Sequence, residues 1–143
     1  MAGKQIENVD DLINCMDLVG LRYYKFSGSR LEPPNVEATP GQYTAEIAAL
    51  VRFDERHIEV RLVTSAKSAD AELAVDIAGT FESVEPLEIP EPLRREFVEQ
   101  VGFVHLYPYV KQALADAATR LQVPAPNLGF LPPSGLKLTP EDE

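Results

Sequence analysis

Gly102-Phe103-Val104-His105-Leu106-Tyr107-Pro108-Tyr109-Val110 runs without a break into Lys111-Gln112-Ala113-Leu114-Ala115-Asp116-Ala117-Ala118-Thr119-Arg120-Leu121. From Leu106 onward, Val110, Ala113, Leu114, Ala117, Ala118 and Leu121 recur at the spacing of one helical face, while Lys111, Gln112, Asp116, Thr119 and Arg120 take the other. The pattern predicts a helix over Leu106–Leu121 with Pro108 in its first turn, where a missing N–H has no helical partner to lose. One side of this helix is too apolar to stand in water, and no catalytic residue lies on it. A sheet, a second subunit or a bound client must cover that side, which points to a binding protein rather than an enzyme.

Three stretches upstream alternate with the two-residue period of a strand. Gln42–Phe53 sets Tyr43, Ala45, Ile47, Ala49, Val51 and Phe53 against Gln42, Thr44, Glu46 and Arg52. His57–Val63 sets Ile58, Val60 and Leu62 against His57, Glu59 and Arg61; Glu72–Phe81 sets Leu73, Val75, Ile77 and Phe81 against Glu72, Asp76 and Thr80. With Asp54-Glu55 as a tight turn and Thr64–Asp70 as a polar loop, they predict an antiparallel meander, buried on one face and wet on the other. Leu18–Gly28 is strand-like but apolar on both sides, through Val19, Leu21, Tyr23, Tyr24 and Phe26. Both of its faces are expected to be at least partly covered.

The connections follow from their breakers. Asn8–Met16 reads as a short helix capped by Asn8 or Asp10, with Val9, Leu12, Ile13 and Met16 on one face. Pro33-Pro34, Pro40 and Gly41 make Ser29–Gly41 a long loop or crossover. Pro86, Pro90 and Pro92 punctuate a linker; Pro92 opens a short helix over Leu93–Val101, and Gly102 is expected to end it at the C′ position.

Bulk properties narrow the function. The 143 residues suffice for one domain, and a net charge of −10 without a Lys/Arg cluster argues against nucleic acid or anionic membrane as partner. No segment is long and apolar enough to span a bilayer, and the N-terminus reaches Glu7 and Asp10 without a signal-peptide apolar region, so a cytoplasmic protein without membrane insertion is expected. Cys15 is the only cysteine, which excludes an intrachain disulfide. His57 and His105 lie on a strand face and a helix approach, where structural roles outweigh metal ligation. Glu59, Glu72 and Asp76 fall on the face read as solvated, not in a pocket that would tune them for acid–base work. No phosphate-binding glycine loop occurs. No catalytic residue, metal or cofactor is expected.

The segment Leu106-Tyr107-Pro108-Tyr109-Val110-Lys111, its Ala-rich continuation, Val123-Pro124, Asn127-Leu128 and Leu131-Pro132-Pro133 together resemble SecB, the protein-export chaperone family. Ile77-Ala78-Gly79-Thr80-Phe81 is similar to the Gly-x-Phe end of that family's last strand, and the resemblance extends over about Leu18 to Pro133. It implies an α+β fold: a four-stranded antiparallel sheet with a long C-terminal helix packed across it. It implies a single domain over 1–143, with a helical extension at 1–17 beyond the export protein and an irregular acidic tail at 134–143. It also implies a homotetramer, a dimer of dimers, that holds unfolded polypeptide clients in apolar grooves without ATP and can deliver preproteins for export. Two departures bear on partners. Ser134-Gly135-Leu136-Lys137-Leu138 stands where the family begins a second helix. Ala74 and, at or near another such position, Lys25 stand where the family presents acidic residues to the motor SecA, which argues against SecA as a partner. A SecB-like chaperone or adaptor dedicated to one partner, such as an antitoxin, is the alternative.

The generous set of aromatics supplies the candidate residues, because a large apolar body with a polar tip suits a half-exposed binding surface. Phe26, Tyr43, Phe53 and Phe103 are expected to line the client groove beside the loop Ser29–Gly41. Tyr107, Tyr109, Leu114 and Ala117 are expected at the helix and oligomer interface.

Overall fold

The structure, a computed structural model, describes residues 3–35, 37 and 42–127, and 137–140 as backbone. In chain order the elements are β1 (Lys4–Gln5), α1 (Val9–Cys15), β2 (Met16–Arg30), β3 (Thr44–Phe53), β4 (His57–Lys67), β5 (Ala71–Ser83), β6 (Leu87–Glu88), α2 (Glu91–Phe97), a π-helical turn (Val98–Gly102), α3 (Phe103–Leu121) and β7 (Lys137–Pro140).

The alternating stretches form the expected meander. Ala49 lies opposite Leu62, Val51 opposite Val60, Leu62 opposite Ile77 and Ile58 opposite Phe81. These pairings gather Ile47, Ala49, Val51, Ile58, Val60, Leu62, Leu73, Val75, Ile77 and Phe81 on one buried face. The first long strand does not join the meander at β3. It crosses to the far side and pairs antiparallel with β5, giving the order β2-β5-β4-β3-β7. Three hairpin-connected strands plus one joined by a long connection make a Greek key.

Helix α3 lays Leu106, Val110, Ala113, Leu114, Ala117 and Ala118 onto the buried face. Glycines permit the close approach. A Cβ on Gly79 would lie 2.7 Å from Leu106 Cδ2, and one on Gly102 would lie 2.8 Å from Val60 Cγ2. At its C-terminus the helix closes on Gln122 in the left-handed region, φ 57°, and Arg30 Nη1 donates to the Leu121 carbonyl across to β2.

Several boundaries differ from expectation. Gly102 does not stop a helix: its φ of −59° is helical, and α2, the π turn and α3 follow one another without a break. Its small size serves contact with Val60, not a left-handed cap. Pro108 therefore lies inside α3 instead of in the first turn. The N–H it lacks would have bonded the carbonyl of Val104, and Val104 and Pro108 are both exposed, so water can satisfy that group. Strand β4 runs on to Lys67 through what reads as a polar loop, because Thr64 and Ala66 continue its buried face. The turn that follows is tied by Ser68 Oγ, which accepts from the Asp70 and Ala71 N–H groups, each at 3.2 Å.

At the N-terminus, Asn8 caps α1 by accepting from the Asp11 N–H at 2.9 Å, and Leu12 and Met16 are buried while Ile13 is exposed. The two-residue strand β1 pairs in parallel with β6, and Ile6 and Leu87 are buried. At the other end, Lys137–Pro140 pairs in parallel with β3, where the sequence predicts an irregular tail. An open sheet edge offers unpaired backbone groups to any extended segment, a signal that side-chain patterning does not carry.

Candidate functional site

The least covered part of the described structure is β2. Its pairing with β5 places Leu18, Leu21, Tyr23 and Phe26 opposite Phe81, Gly79, Ile77 and Val75, so these four side chains share the helix-side face. They lie past the cover of α3: Tyr23 is 49% exposed and Phe26 44%, and Leu18 and Leu21 are exposed as well. Register shifts between Leu18 and Gly20 and between Tyr23 and Lys25 mark two bulges, at Val19 and Tyr24, which are also exposed. The expected cover on both faces is therefore not supplied by the described residues. Among them the strand is an edge, bare on one flank along its length and lined by an apolar row.

The opposite face of β2 is anchored to the inner strands. Arg61 grips Asp76 bidentately, with Nε to Oδ1 at 2.8 Å and Nη2 to Oδ2 at 2.7 Å, and its guanidinium lies 4.2 Å from the centre of the Tyr24 ring. Asp76 is thereby only 6% exposed, a correction to its reading as part of a solvated face. The cause is geometric: a paired carboxylate under a stacked guanidinium is shielded even on a sheet face open to water.

The four residues expected to line one groove are not brought together. Phe26 stands on β2. Tyr43 and Phe53 bracket β3 at the other side of the sheet, with β5 and β4 between in the order β2-β5-β4-β3. Both are half-buried: the Tyr43 hydroxyl donates to the Pro124 carbonyl at 2.6 Å, and the Arg94 guanidinium lies 4.9 Å over the Phe53 ring. Phe103 is a core residue, 2% exposed and stacked on Tyr107 at 4.9 Å between ring centres. Of the residues expected at an oligomer interface, Tyr107, Leu114 and Ala117 are buried against the chain's own core, and burial raises the Tyr107 phenol above its ordinary pKa of 10.0. Of those four, only Tyr109 is exposed. Sequence reasoning does not single out Leu18, Leu21 and Tyr23 as surface residues. Their signal is the two-sided apolar character of the stretch, which calls for cover without saying whose.

The hairpin beside Phe53 is built on Asp54. Burial pushes its carboxyl pKa up, but the N–H groups of Arg56 and His57 and the His57 ring more than offset this, and the net direction is down. His57 Nδ1 lies 3.0 Å from Asp54 Oδ1, and His57 Nε2 lies 3.5 Å from Glu82 Oε2. His105 Nδ1 lies 2.8 Å from the Val101 carbonyl. Both histidines thus have local partners. Among the described residues no three His, Cys, Asp or Glu side chains form a metal-holding group, and no helix is long and apolar enough to cross a membrane.

The Greek-key sheet with the long helix across it is the α+β fold that the motif around Leu106–Lys111 leads one to expect, and it is similar to that of a SecB-like chaperone. The chain is 28% identical over 133 residues to the SecB-like chaperone SmegB of Mycolicibacterium smegmatis, a match covering 93% of this chain and 87% of that one. Its fold matches the Mycobacterium tuberculosis Rv1957 SecB-like chaperone, solved in complex with a ChAD peptide from the Rv1956 HigA1 antitoxin, with a TM-score of 0.69, 19% identity, and coverage of 85% of this chain and 91% of that chain. No family model matches the chain.

Proposed function

We propose that the protein is an ATP-independent SecB-like holdase that keeps non-native polypeptides from aggregating, and that it has no catalytic activity of its own. The observation that carries this reading is the β3 edge, where half-buried Tyr43 and Phe53 bracket a strand that β7 pairs only at Ala48–Val51, beside an apolar row on β2, Leu18, Leu21, Tyr23 and Phe26, left exposed for assembly. Full burial of an exposed large apolar side chain is worth about 1.5–3 kcal/mol; these, already about half-buried or more, gain a fraction of that each, which summed over the row favours association without nucleotide hydrolysis. A long, unpaired apolar edge also associates edge to edge. We assign β2 to self-association, as the first step toward a homotetramer built as a dimer of dimers, with Tyr109 as a further exposed contact. Phe26 then belongs to that interface. The β3 side, with Tyr43 and Phe53, is left for clients in the cytoplasm. SecA is not assigned as a partner, since Lys25 stands opposite Asp76 across the strands and Ala74 presents no carboxylate.

The test is suppression of aggregation of several unrelated unfolded clients without ATP. The expected result is protection at near-stoichiometric ratios, weakened on Phe53→Ala or Tyr43→Ser with the fold intact. No protection of any client sinks the reading. A second reading is favoured by the antitoxin peptide bound to the Rv1957 neighbour: a chaperone dedicated to one partner of that kind. A pull-down dominated by a single stoichiometric protein would favour it over the general holdase.

A further inference from the structure

The two long edges of the sheet are not equivalent. On the β3 side, β7 covers only Ala48–Val51, pairing them with Lys137–Pro140. Among the described residues, Thr44–Ile47 and Arg52–Phe53 have no strand partner on that flank. Every other ladder of this sheet is antiparallel, whereas β7 runs parallel, a pairing slightly weaker per residue. It also ends on Pro140, which has no N–H to donate. Tyr43 and Phe53 stand half-buried at the two ends of β3, bracketing the partly used edge.

We infer that the β3 edge is a strand-acceptor site for extended client polypeptide, and that the chain's own C-terminal strand occupies it as a displaceable competitor. The inference rests on the holdase reading and names the kind of segment that the site takes. The occupant is an unfolded stretch of about ten residues, matching Thr44–Phe53, apolar at alternate positions. Its main chain completes the ladder, and its alternate side chains pack beside Tyr43 and Phe53. Strand addition gives affinity through backbone hydrogen bonds common to all sequences, and alternate side-chain contacts give selectivity. The C-terminal sequence Leu136-Lys137-Leu138-Thr139 has this alternation itself. A client pairing antiparallel along the whole of β3 would make more ladder bonds than the four-residue β7. Fifteen residues separate Leu121 from Lys137. Tethering of this kind holds a weak competitor at an effective concentration of about millimolar, so the tail masks client affinity without abolishing it.

Two variants and two probes test this. The first variant is truncated after Leu136; the second carries Leu50→Cys and Thr139→Cys in a Cys15→Ser background, since paired strand positions lie within disulfide range. The probes are a labelled peptide of residues 134–143 and reduced, carboxymethylated α-lactalbumin. The truncated chain should bind the unfolded probe about three- to tenfold more tightly than the full chain, and the tail peptide should bind it and compete. The oxidised double-cysteine chain should lose at least tenfold in probe affinity and regain it on reduction. Unchanged probe affinity after truncation, failure of the truncated chain to take up the tail peptide, or full binding by the oxidised form overturns the proposal. If neither form binds the unfolded probe while the tail peptide still docks, the holdase reading fails and the edge remains a strand acceptor only for the chain's own tail.

Discussion

Strands β2 and β3 stand at opposite sides of one four-stranded core and meet the same physical problem, an unpaired edge, in different ways. Strand β2 is 15 residues long and bulged twice, its apolar row on the helix-side face and Arg22, Lys25, Ser27 and Ser29 on the other, and among the described residues nothing lies beyond it. Strand β3 is 10 residues long, buries Ile47, Ala49 and Val51 on one face, and has β7 along part of its flank. The contrast fits two edges that serve different partners. An edge whose own side chains are left in water favours a permanent cover of matching shape, which a second copy would provide. An edge with a buried apolar face and a short guest strand needs only backbone completion, which many sequences provide.

Four experiments bear on this contrast. The double variant Leu21→Lys, Phe26→Lys carries the largest expected effect. Leu21 is 37% and Phe26 44% exposed, so burying the remainder is worth about 1 kcal/mol per side chain, four of them in a two-fold interface, and light scattering should show the assembly falling to smaller species. Thermal stability of the chain should fall only modestly, since both residues are already partly exposed. Unchanged mass would mean that β2 is not the assembly edge. Next, Asp76→Ala removes the acceptor that holds Arg61 over Tyr24. Breaking such a shielded pair is expected to cost about 2–4 kcal/mol in chemical denaturation, and Arg61→Met in the same background should recover part of it. If Asp76→Ala is neutral, β2 is held by its ladder alone.

A smaller effect is expected on the β3 side. Phe53→Ala should weaken client capture about tenfold, equivalent to about 1.4 kcal/mol, while leaving the solution mass unchanged. If mass and client capture fall together, the two edges are not separate. The smallest effect concerns the hairpin next to Phe53. The folded-state carboxyl of Asp54 lies below its ordinary value, so its contribution is present above the unfolded pKa of about 3.9 and is lost as pH falls through the lower folded value. Asp54→Ala should therefore show a flatter decline of stability between about pH 5 and 2 than the parent, read from denaturation midpoints. Parallel acid limbs would show that the turn contributes nothing through that charge.

The readings that hold rest on periodicity. Alternation in Gln42–Phe53, His57–Val63 and Glu72–Phe81 tells which side chains are buried, and the stripe from Leu106 to Leu121 tells which helical face meets them. Boundaries fail where a residue has two uses. Gly102 reads as a helix stop because glycine commonly takes a left-handed cap, yet here it is a contact point for Val60. Thr64 reads as loop because it is polar, yet it continues a buried face. The site is less legible than the fold. Phe103 and Phe53 are both aromatic residues near the end or start of an element, and nothing local distinguishes the one stacked in the core from the one left half-open under Arg94.

The meander, the amphipathic helix, the SecB-like resemblance and the demand for cover along Leu18–Gly28 are all written in the chain itself. They follow from side-chain period and composition, which act locally. Three further features emerge only in the folded molecule: β2 pairs with β5, Phe26 stands across the sheet from Tyr43 and Phe53, and Lys137–Pro140 takes the β3 flank. A strand's period states which face is apolar but carries no information about its lateral neighbour. That choice depends on which edge remains open once the hairpins have formed and on where the long crossover can reach.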